Sequence, residues 1–268
     1  MFRRRRKGRG EETAVLGMKQ GRSTAGEDSH LRTVAIIPAR GGSKGIPRKN
    51  VIDFCGYPLL AWSIAAARGA KGIDRVFVST DDREIGAVAR EYGAEVIDRP
   101  PELSGDAATS ESALLHTLDV LKARGENPER VVFLQPTSPL RETEELNAAL
   151  LAFERDGFDS LFSGARPEDY CLWMQSGSRL TSLNYDYRNR RRRQEMLEEE
   201  LWIETGSFYI TKSALLRSEA NRLGGKIGIH EVPIWKSYEI DSLSGLELCA
   251  LLMRHHGLDR TPPKPARS

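Results

Sequence analysis

Short apolar runs alternate with amphipathic stretches between residues 33 and 155 of the chain. Residues 34–37 and 131–134 are continuous apolar runs, the pattern of strands that are buried on both faces of a parallel sheet. Between such runs, apolar residues recur with the helical period. Four helices are predicted in this way, over residues 58–68, 83–92, 110–122 and 144–153. This alternation predicts an α/β fold around a mainly parallel sheet.

The loops that follow the strands are where such a fold binds its ligands. In an open parallel sheet the carboxyl ends of the strands meet at one edge, and ligands bind just beyond them. We therefore expect the loops that begin at Pro38, Ser79 and Gln135 to form one site.

The second half of the chain is less regular. Residues 165–203 contain aromatic residues, a basic run and an acidic run without clear alternation, so they predict an excursion from the core rather than a separate domain. Order is expected to return over residues 206–210 and 237–241, before a last helix over residues 243–254.

Both ends of the chain are predicted to lie outside the folded domain, which spans residues 33–257. Residues 1–32 are polar and lack periodicity, and residues 258–268 are rich in proline, so we expect a disordered basic extension and a flexible tail. The extension contains a run of four arginines and a lysine, which is able to engage nucleic-acid phosphates or direct a protein to the nucleus. The apolar segment of a secretion signal does not follow it.

Charge and cysteine content argue against several classes of protein. Lys and Arg number 40 against 38 Asp and Glu, a balance that gives no general case for binding nucleic acid or a membrane surface. No apolar run approaches the roughly 20 residues that a membrane-spanning helix needs. Cys55, Cys171 and Cys249 are far apart in sequence, which argues against a disulfide framework and a zinc site. A cytoplasmic protein is expected.

The segment after the first apolar run has the composition of a phosphate-binding loop. Residues 38–50 read PARGGSKGIPRKN. Glycines directly after a buried strand allow backbone N–H groups to approach an anion closely, and the segment adds the cations Arg40, Lys44, Arg48 and Lys49. It matches neither the Walker A pattern nor G-x-G-x-x-G. It therefore predicts a triphosphate site of another type, with a solvated basic loop as the alternative.

The same segment resembles the opening signature of the CMP–sialic acid synthetase family, the acylneuraminate cytidylyltransferases. Four further segments resemble the family's motifs in the same order: VSTDD at 78–82, RPPELSGD at 99–106, LQPTSPLR at 134–141 and EIDS at 239–242. The resemblance extends over residues 33–253, and five motifs in order are far more specific than any one of them.

The resemblance implies a fold, a reaction and an assembly. The fold is a three-layer αβα sandwich like that of nucleotide-diphospho-sugar transferases, with residues 165–203 protruding as a dimerisation element. The reaction joins CMP from CTP to the anomeric hydroxyl of a nine-carbon 2-keto acid sugar and releases pyrophosphate. Such chemistry depends mainly on positioning and on neutralising charge. The expected partners are CTP, a nonulosonic acid and a second copy of the chain, and neither a membrane nor a nucleic acid.

The family's motifs also imply roles for individual residues. Arg40, Lys49 and Asp241 match catalytic positions. The positions that match nucleotide contacts are Arg40, Gly41, Gly42, Ser43, Lys44, Lys49, Asn50, Arg99 and Ser110. Taken alone, Arg99 is more simply an exposed arginine before a Pro-Pro turn, and Ser110 is a residue at a helix start, where serine is favoured.

Three residues match positions that face the sugar acid in the family: Gln135, Arg193 and Tyr209. Gln135 lies at the mouth of a buried strand, where ligands bind, although a residue there also caps the strand end. Arg193 is one of four consecutive arginines, so simple solvation is its alternative; in the family the matching residue can serve the partner subunit's site. Tyr209 lies in a predicted strand, where a tyrosine also serves as a core residue.

Glu239 and Asp241 are the candidate metal ligands. In an extended segment, residues i and i+2 point to one face, so the two carboxylates converge while Ile240 points into the core. Hard oxygen ligands suit Mg²⁺, with Mn²⁺ as the alternative, and Mg²⁺ usually takes one or two carboxylates and completes its shell with water and phosphate. Asp241 has a second interpretation, as the N-cap of the last helix.

Departures from the family's pattern bear on the metal and the substrate. Glu239 replaces the aspartate of several members, and Gly245 stands where an acidic residue often follows, which weakens the case for a second metal ion. No lysine lies near residues 172–173, where members specific for sialic acid often have one. Together with the segments at 185–189 and 204–207, this favours the branch that uses legionaminic or related acids.

Two other functions are consistent with parts of the sequence. A cytidylyltransferase for the eight-carbon acid Kdo would resemble V-Q-G-D-E-P where this chain has LQPTSPLR. A non-catalytic nucleotide- or nucleic-acid-binding protein would use the basic N-terminus and the arginine cluster. It would bind polynucleotide in a strongly salt-dependent manner and would have no need of Glu239 or Asp241.

Overall fold

The structure, a computed structural model, describes residues 32–43, 45–167, 171–192, 195 and 201–266. The strands in these ranges are β1 Thr33–Pro38, β2 Asp53–Phe54, β3 Tyr57–Pro58, β4 Arg75–Thr80, β5 Glu95–Asp98, β6 Arg130–Leu134, β7 Ser160–Ala165, β8 Trp173–Ser176, β9 Arg179–Ser182, β10 Ile203–Lys212 and β11 Ile227–Glu231. The helices are α1 Leu59–Gly69, α2 Arg83–Glu91, α3 Ser110–Ala123, α4 Thr143–Arg155, α5 Ser213–Glu219 and α6 Leu243–His255. Short 3₁₀ turns lie at Lys49–Val51, Pro101–Leu103, Tyr187–Asn189, Ile234–Ser237 and Leu258–Arg260.

Seven strands form the central sheet, in the order β11-β7-β10-β6-β1-β4-β5. β1 is parallel to β4 and β6, β4 to β5, and β7 to β11. β10 is antiparallel to both of its neighbours, β6 and β7. The predicted α/β fold with a mainly parallel sheet is confirmed, and β10 adds one strand that starts at the edge where the parallel strands end.

Helices cover both faces of the sheet, which makes the three-layer sandwich. On β1, Ala35 and Ile37 pack on the side of α1, α2 and α4, whereas Val34 and Ile36 pack on the side of α3 and α5. All four side chains are fully buried. Burial of a side chain such as Ile36 contributes about 1.5–3 kcal/mol. These contacts fix β1 in the middle of the sheet and the loop that follows it at the carboxyl edge.

A third apolar cluster holds α6 beside the same edge. Cys249 and Met253 of α6 pack with Ile240 and with Trp62 of α1, and Ile46 from the loop after β1 joins them. Ile240 is fully buried, as predicted. The residues on either side of Ile240 are therefore held near the loop after β1, although 3₁₀ and irregular backbone replace the extended segment expected at 237–241.

The start of α6 tests the interpretation of Asp241 as the N-cap of the last helix. The N-cap is Ser242, whose side chain accepts a hydrogen bond from the Gly245 N–H at 3.1 Å. A cap of this kind is worth about 1 kcal/mol. The interpretation of Asp241 as the N-cap is wrong, and its carboxylate serves another contact.

The chain end differs from the flexible tail expected over residues 258–268. Leu258–Arg260 form a 3₁₀ turn, Pro263 is buried, and the Ala266 N–H donates to the Glu91 carbonyl at 2.8 Å. Prolines restrict the unfolded chain, so that docking such a segment costs less conformational entropy. The described part of this segment packs against the domain.

Residues 171–192 form a hairpin outside the central sheet. β8 and β9 pair in an antiparallel manner, and the Trp173 ring packs against Tyr185 and Tyr187 with centroid distances of 6.0 and 5.1 Å. Several apolar side chains here are exposed in the single chain: Leu172, Trp173, Met174, Leu180 and Leu183.

Two predictions from composition can be compared with the structure directly. The three cysteines carry free thiols, in agreement with their spacing in the sequence. Among the helices of the described ranges, none has the length and apolar character to cross a bilayer.

Candidate active site

The loop after β1 is held at the carboxyl edge by polar contacts. Asn50 is buried, and its side-chain amide donates to the backbone carbonyl of Arg40 at 3.0 Å. The Gly41 N–H donates to Asp81 Oδ1 at 3.0 Å, which ties the loop to the end of β4. Arg40 Nη1 donates to the Gly105 carbonyl at 2.9 Å on the far side. The loops that begin at Pro38 and after β4 therefore lie together, as predicted.

Two of the backbone N–H groups predicted to bind an anion are engaged within the protein. Gly41 donates to Asp81, and Ser43 donates to the Gly41 carbonyl at 3.1 Å. An entering phosphate has to replace these acceptors with its own oxygens. Lys44, a predicted nucleotide contact, lies outside the described residues.

Lys49 and Asp241 join the predicted phosphate loop to the predicted metal ligands. Lys49 Nζ lies 2.8 Å from Asp241 Oδ1, and the Lys49 side chain is only 13% exposed whereas that of Asp241 is 71% exposed. Gly45 makes the approach sterically feasible, because a Cβ built there would overlap the backbone carbonyl oxygen of Asp241. Two of the three predicted catalytic residues are therefore in direct contact.

Arg99 is buried, so its interpretation as an exposed arginine before the Pro-Pro turn is wrong. Its Nε donates to Ser79 Oγ at 3.1 Å, and its Nη2 donates to the Ser79 carbonyl. Burial lowers the pKa of the guanidinium, and the charge of Asp81 opposes that effect. The structure thus places a buried cation behind the phosphate loop, where it favours an anion.

Ser110 is the first residue of α3 but does not cap it. The cap is Thr109, whose hydroxyl accepts from the Ser112 N–H at 3.2 Å. Ser110 is thus a residue at a helix start, as its alternative interpretation states, and its predicted contact with the nucleotide stays a prediction.

Arg48 is directed away from the other cations of the loop. It has a left-handed backbone (φ 59°) and forms ion pairs with Asp82 and Glu84 at the start of α2. All three described cations of the loop are ion-paired: Arg40 Nη1 lies 3.3 Å from Asp106 Oδ1, and Lys49 pairs with Asp241. Arg48 differs in pairing with two carboxylates of the α2 start, outside the predicted site residues.

Gln135 and Glu239 both lie close to the position that a Cβ of Gly206 would occupy. Gly206 has a φ of +68°, and a Cβ built on it would overlap Glu239 Oε1 and lie 3.2 Å from Gln135 Nε2. Ser138, three residues after Gln135, donates its hydroxyl to Glu239 Oε1 at 3.0 Å. The loop after β6, the bulge in β10 and the segment before α6 therefore meet, and they bring a predicted sugar contact to a predicted metal ligand.

The charges around Glu239 fit a divalent cation. Burial raises the pKa of its carboxyl group, the Ser138 hydrogen bond lowers it, and the negative charge of Asp241 raises it. A cation bound to both carboxylates removes this repulsion. The described residues contain no group of three or more His, Cys, Asp or Glu side chains suited to a metal. A bound ion would therefore take its other ligands from water and phosphate, as Mg²⁺ usually does.

Tyr209 packs as a core residue with one polar contact towards the site. Its ring stacks on Phe133 with a centroid distance of 5.5 Å, and its hydroxyl donates to Glu204 Oε2 at 2.8 Å. Arg222 lies over the ring, 4.9 Å from its centroid. Burial raises the pKa of the Tyr209 hydroxyl. Contact with a sugar through the ring face is blocked, so the predicted role rests on the hydroxyl and Glu204.

Sequence reasoning assigned no role to Arg141, Ser138 or Gly206. All three lie in or beside quoted motifs, but their contacts join segments that are far apart in sequence. The signals in the sequence that could have indicated these residues were the LQPTSPLR motif, for Ser138 and Arg141, and a glycine within a strand, for Gly206. Arg193, the third predicted sugar contact, lies outside the described residues.

Comparisons with known proteins agree with this geometry. Residues 34–192 match the family model described as "Cytidylyltransferase". The chain is 38% identical over 221 residues to the N-acylneuraminate cytidylyltransferase of Oncorhynchus mykiss. The aligned region covers 81% of this chain and 49% of that protein. It is 30% identical over 228 residues to a pseudaminic acid cytidylyltransferase of Campylobacter jejuni, covering 84% of this chain and 97% of that protein.

The chain spans about half the length of the first of these relatives. Among solved structures, CMP:2-keto-3-deoxy-manno-octonic acid synthetase in complex with CTP superimposes with a TM-score of 0.61 at 18% identity, over 84% of this chain and 99% of that one. This likeness supports the fold. The family match and the relatives together lead to one conclusion: the chain belongs to the cytidylyltransferase family.

Proposed function

We propose that this chain transfers CMP from CTP to the anomeric hydroxyl of a nine-carbon 2-keto acid sugar, a sialic, legionaminic or related acid, and releases pyrophosphate. The observation that carries the proposal is the meeting of Lys49, Asp241, Glu239 and Gln135 at one edge of the sheet. It brings a lysine, two carboxylates and an amide together in a member of the cytidylyltransferase family, which supports their proposed roles towards phosphate, metal ion and sugar.

The triphosphate is expected to lie along the loop after β1. Arg40 and Lys49 neutralise the phosphate charge that builds up as the bond to pyrophosphate breaks, and Lys44 and Arg99 add to the positive potential. Gly41, Gly42, Ser43, Asn50 and Ser110 complete the proposed nucleotide contacts.

Cytidylyltransferases of this kind generally use a divalent metal ion, and we propose Mg²⁺, with Mn²⁺ as a functional substitute. Glu239 and Asp241 are the residues that would hold it. When bound, the ion supplies positive charge to the phosphates. Lys49 contacts Asp241 and so holds that carboxylate beside the phosphate loop before the ion arrives.

The sugar acid is expected to occupy the space next to Gln135. The side-chain amide of Gln135 is expected to donate to and accept from the sugar hydroxyls. Tyr209 is expected to contact the sugar through its hydroxyl and through Glu204, to which that hydroxyl donates. Arg193 is proposed to bind the sugar's carboxylate, in its own site or in the partner subunit's site.

We further propose a cytoplasmic homodimer that pairs through residues 165–203. The exposed apolar side chains of the β8–β9 hairpin support this assembly, because apolar patches of this kind mark protein–protein contacts. The free thiols suit a reducing compartment.

The test is pyrophosphate release from CTP and Mg²⁺, with Neu5Ac, diacetyllegionaminic acid, pseudaminic acid and Kdo offered separately. We expect turnover with one of the nine-carbon acids. Asp241→Asn should lower kcat by about 100-fold or more, because a charged group that stabilises the transition state is lost. Glu247→Gln, at an exposed carboxylate on α6, is the matched control and should retain activity.

Three other results would contradict the proposal. Turnover with Kdo alone would assign the eight-carbon substrate. Salt-dependent polynucleotide binding without turnover would indicate a binding protein. Absence of pyrophosphate release with all four acids, from a folded protein that binds CTP, would exclude these four substrates.

A further inference from the structure

Arg141 lies in the interior behind the candidate site. It is 6% exposed, and it follows the loop that begins at Gln135. Its Nε donates to Ser207 Oγ at 3.1 Å, and its Nη1 donates to Ser63 Oγ at 3.1 Å. Its Nη2 donates to the carbonyls of Gln135 at 3.0 Å, Ser138 at 3.2 Å and Ser207.

These contacts are unusual for a buried charge. All five acceptors are hydroxyl or carbonyl oxygens, whereas the buried cation Lys236 is paired with the carboxylates of Glu142 and Glu145. Burial lowers the pKa of Arg141 to about 9. The charges of Glu145 and Glu239 offset this effect only in part. Burying a charge that hydrogen-bonds to no carboxylate is costly, and apolar packing is often more stable. Core packing alone is therefore a poor explanation for an arginine at this position.

The acceptors belong to the segments that form the site. The Gln135 carbonyl is on the residue proposed to contact the sugar. Ser138 donates its own hydroxyl to Glu239, so Arg141 holds the backbone from which that hydrogen bond is made. Ser207 follows Gly206, whose missing Cβ leaves room for both Glu239 and Gln135. One guanidinium thus fixes the loop after β6 and the bulge in β10 relative to each other.

We propose that Arg141 is a positioning residue that sets the geometry of Gln135 and Glu239 together, and thereby the affinity for the sugar acid and for the metal ion. The inference rests on the proposed function. Arg141 touches neither the expected substrate nor the expected ion, and it acts through the backbone of Gln135 and the hydroxyl of Ser138.

Lysine cannot replace arginine in this arrangement. The guanidinium donates from three nitrogens in a rigid plane, whereas an ammonium group donates from one nitrogen on a flexible stem. Arg141→Lys therefore preserves the charge and loses most of the links. A disturbed second layer around a metal site typically costs 10–100-fold in affinity or activity.

The experiment compares Arg141→Lys with Ser63→Ala and the wild-type chain. In Arg141→Lys, we expect the KM for the sugar acid and the half-saturating Mg²⁺ concentration to rise by about tenfold each, with the KM for CTP within about threefold. Ser63→Ala removes one acceptor on α1, which belongs to neither the loop after β6 nor the bulge in β10. It should lower Tm while leaving these constants within about twofold.

A readout independent of turnover is Mn²⁺ binding, followed by electron paramagnetic resonance with a non-hydrolysable CTP analogue. We expect weaker binding in Arg141→Lys and wild-type binding in Ser63→Ala. The inference is overturned if a folded Arg141→Lys loses stability alone, with an unchanged sugar KM and unchanged Mn²⁺ affinity.

If Arg141→Lys does not fold, Ser207→Ala decides the question. It removes the acceptor of Nε only, and a smaller rise in both the sugar KM and the Mn²⁺ dissociation constant is expected; no change in either overturns the inference. Failure of the proposed function is distinguishable, since it appears in the wild-type chain as no turnover with any acid while Mn²⁺ binding still reports on Arg141.

Discussion

Gly206 illustrates how one residue without a side chain sets the candidate site. Gly206→Ala would meet the Glu239 carboxylate and strain a backbone at φ +68°. We expect a loss of stability of about 1 kcal/mol and a fall in activity of about 100-fold, because the metal ligand is displaced. Gly125→Ala is the matched control: its φ is +81° and nothing lies within 4 Å of the added carbon.

Urea unfolding and pyrophosphate release measure the two effects separately. Both variants should lose stability, and Gly206→Ala alone should lose turnover. Equal activity in the two variants would mean that the position of Glu239 does not depend on Gly206.

Ser138 governs the pH dependence of the same carboxylate. Burial raises the pKa of Glu239 and the Ser138 hydrogen bond lowers it. Glu239 has to be ionised to hold a cation, so metal affinity is present above its pKa and is lost as pH falls through it. Ser138→Ala removes the effect that lowers the pKa. In this variant, Mn²⁺ affinity measured against pH should therefore begin to fall at a higher pH than in the wild-type chain.

The control is Ser160→Ala, at another buried serine, whose hydroxyl contacts Gly224. It should leave that pH unchanged. If the pH at which Mn²⁺ affinity falls is the same in Ser138→Ala as in the wild-type chain, another group controls metal binding at acid pH.

At the scale of elements, the β8–β9 hairpin carries the clearest prediction. Leu180 on β9 is 62% exposed in the single chain. If the hairpin forms the dimer contact, Leu180→Asp buries a charge there and should shift the protein to monomer. Leu251→Asp, on α6 with 61% exposure, is the matched control and should leave the mass unchanged. Sedimentation velocity measures both; a dimer in Leu180→Asp would place the interface elsewhere.

Strands β7 and β11 were not predicted from the sequence. β7 reads SLFSGA, and its buried serines hide the apolar pattern of a strand. Ser163 compensates through a hydrogen bond of 2.8 Å to the Thr205 hydroxyl, 42 residues later. Such partners are visible only after folding. In contrast, all five predicted helices, including the last one at 243–254, lie where they were expected, because their apolar periods are local.

The same division holds for the residues of the site. The spacing of Glu239 and Asp241 indicated that their carboxylates lie close enough to interact, which the structure shows. The contact of Lys49 with Asp241 spans 192 positions, and spacing did not predict it. The burial of Arg99 and the packing of Tyr209 depend on tertiary contacts, so their environments could not be predicted from spacing.

For the whole molecule, the described site residues lie between Arg40 and Asp241, well inside the folded domain. Removal of residues 2–30 should therefore leave kcat and both KM values within about twofold, because no motif of the site is lost. Steady-state kinetics of the truncated and full chains provide the measurement, with polynucleotide binding at two salt concentrations as a second readout. A large loss of turnover on truncation would assign the basic extension a part in catalysis.

The contact between Lys49 and Asp241 joins residues that are 192 positions apart. During synthesis, the ribosome releases the phosphate loop early and the metal ligands much later, while domains fold largely as units. A nascent chain that has not reached residue 239 has no Glu239 or Asp241 to pair with its cations. On the proposed function, products of premature termination before residue 239 are expected to lack CMP transfer, because both proposed metal ligands are missing from them.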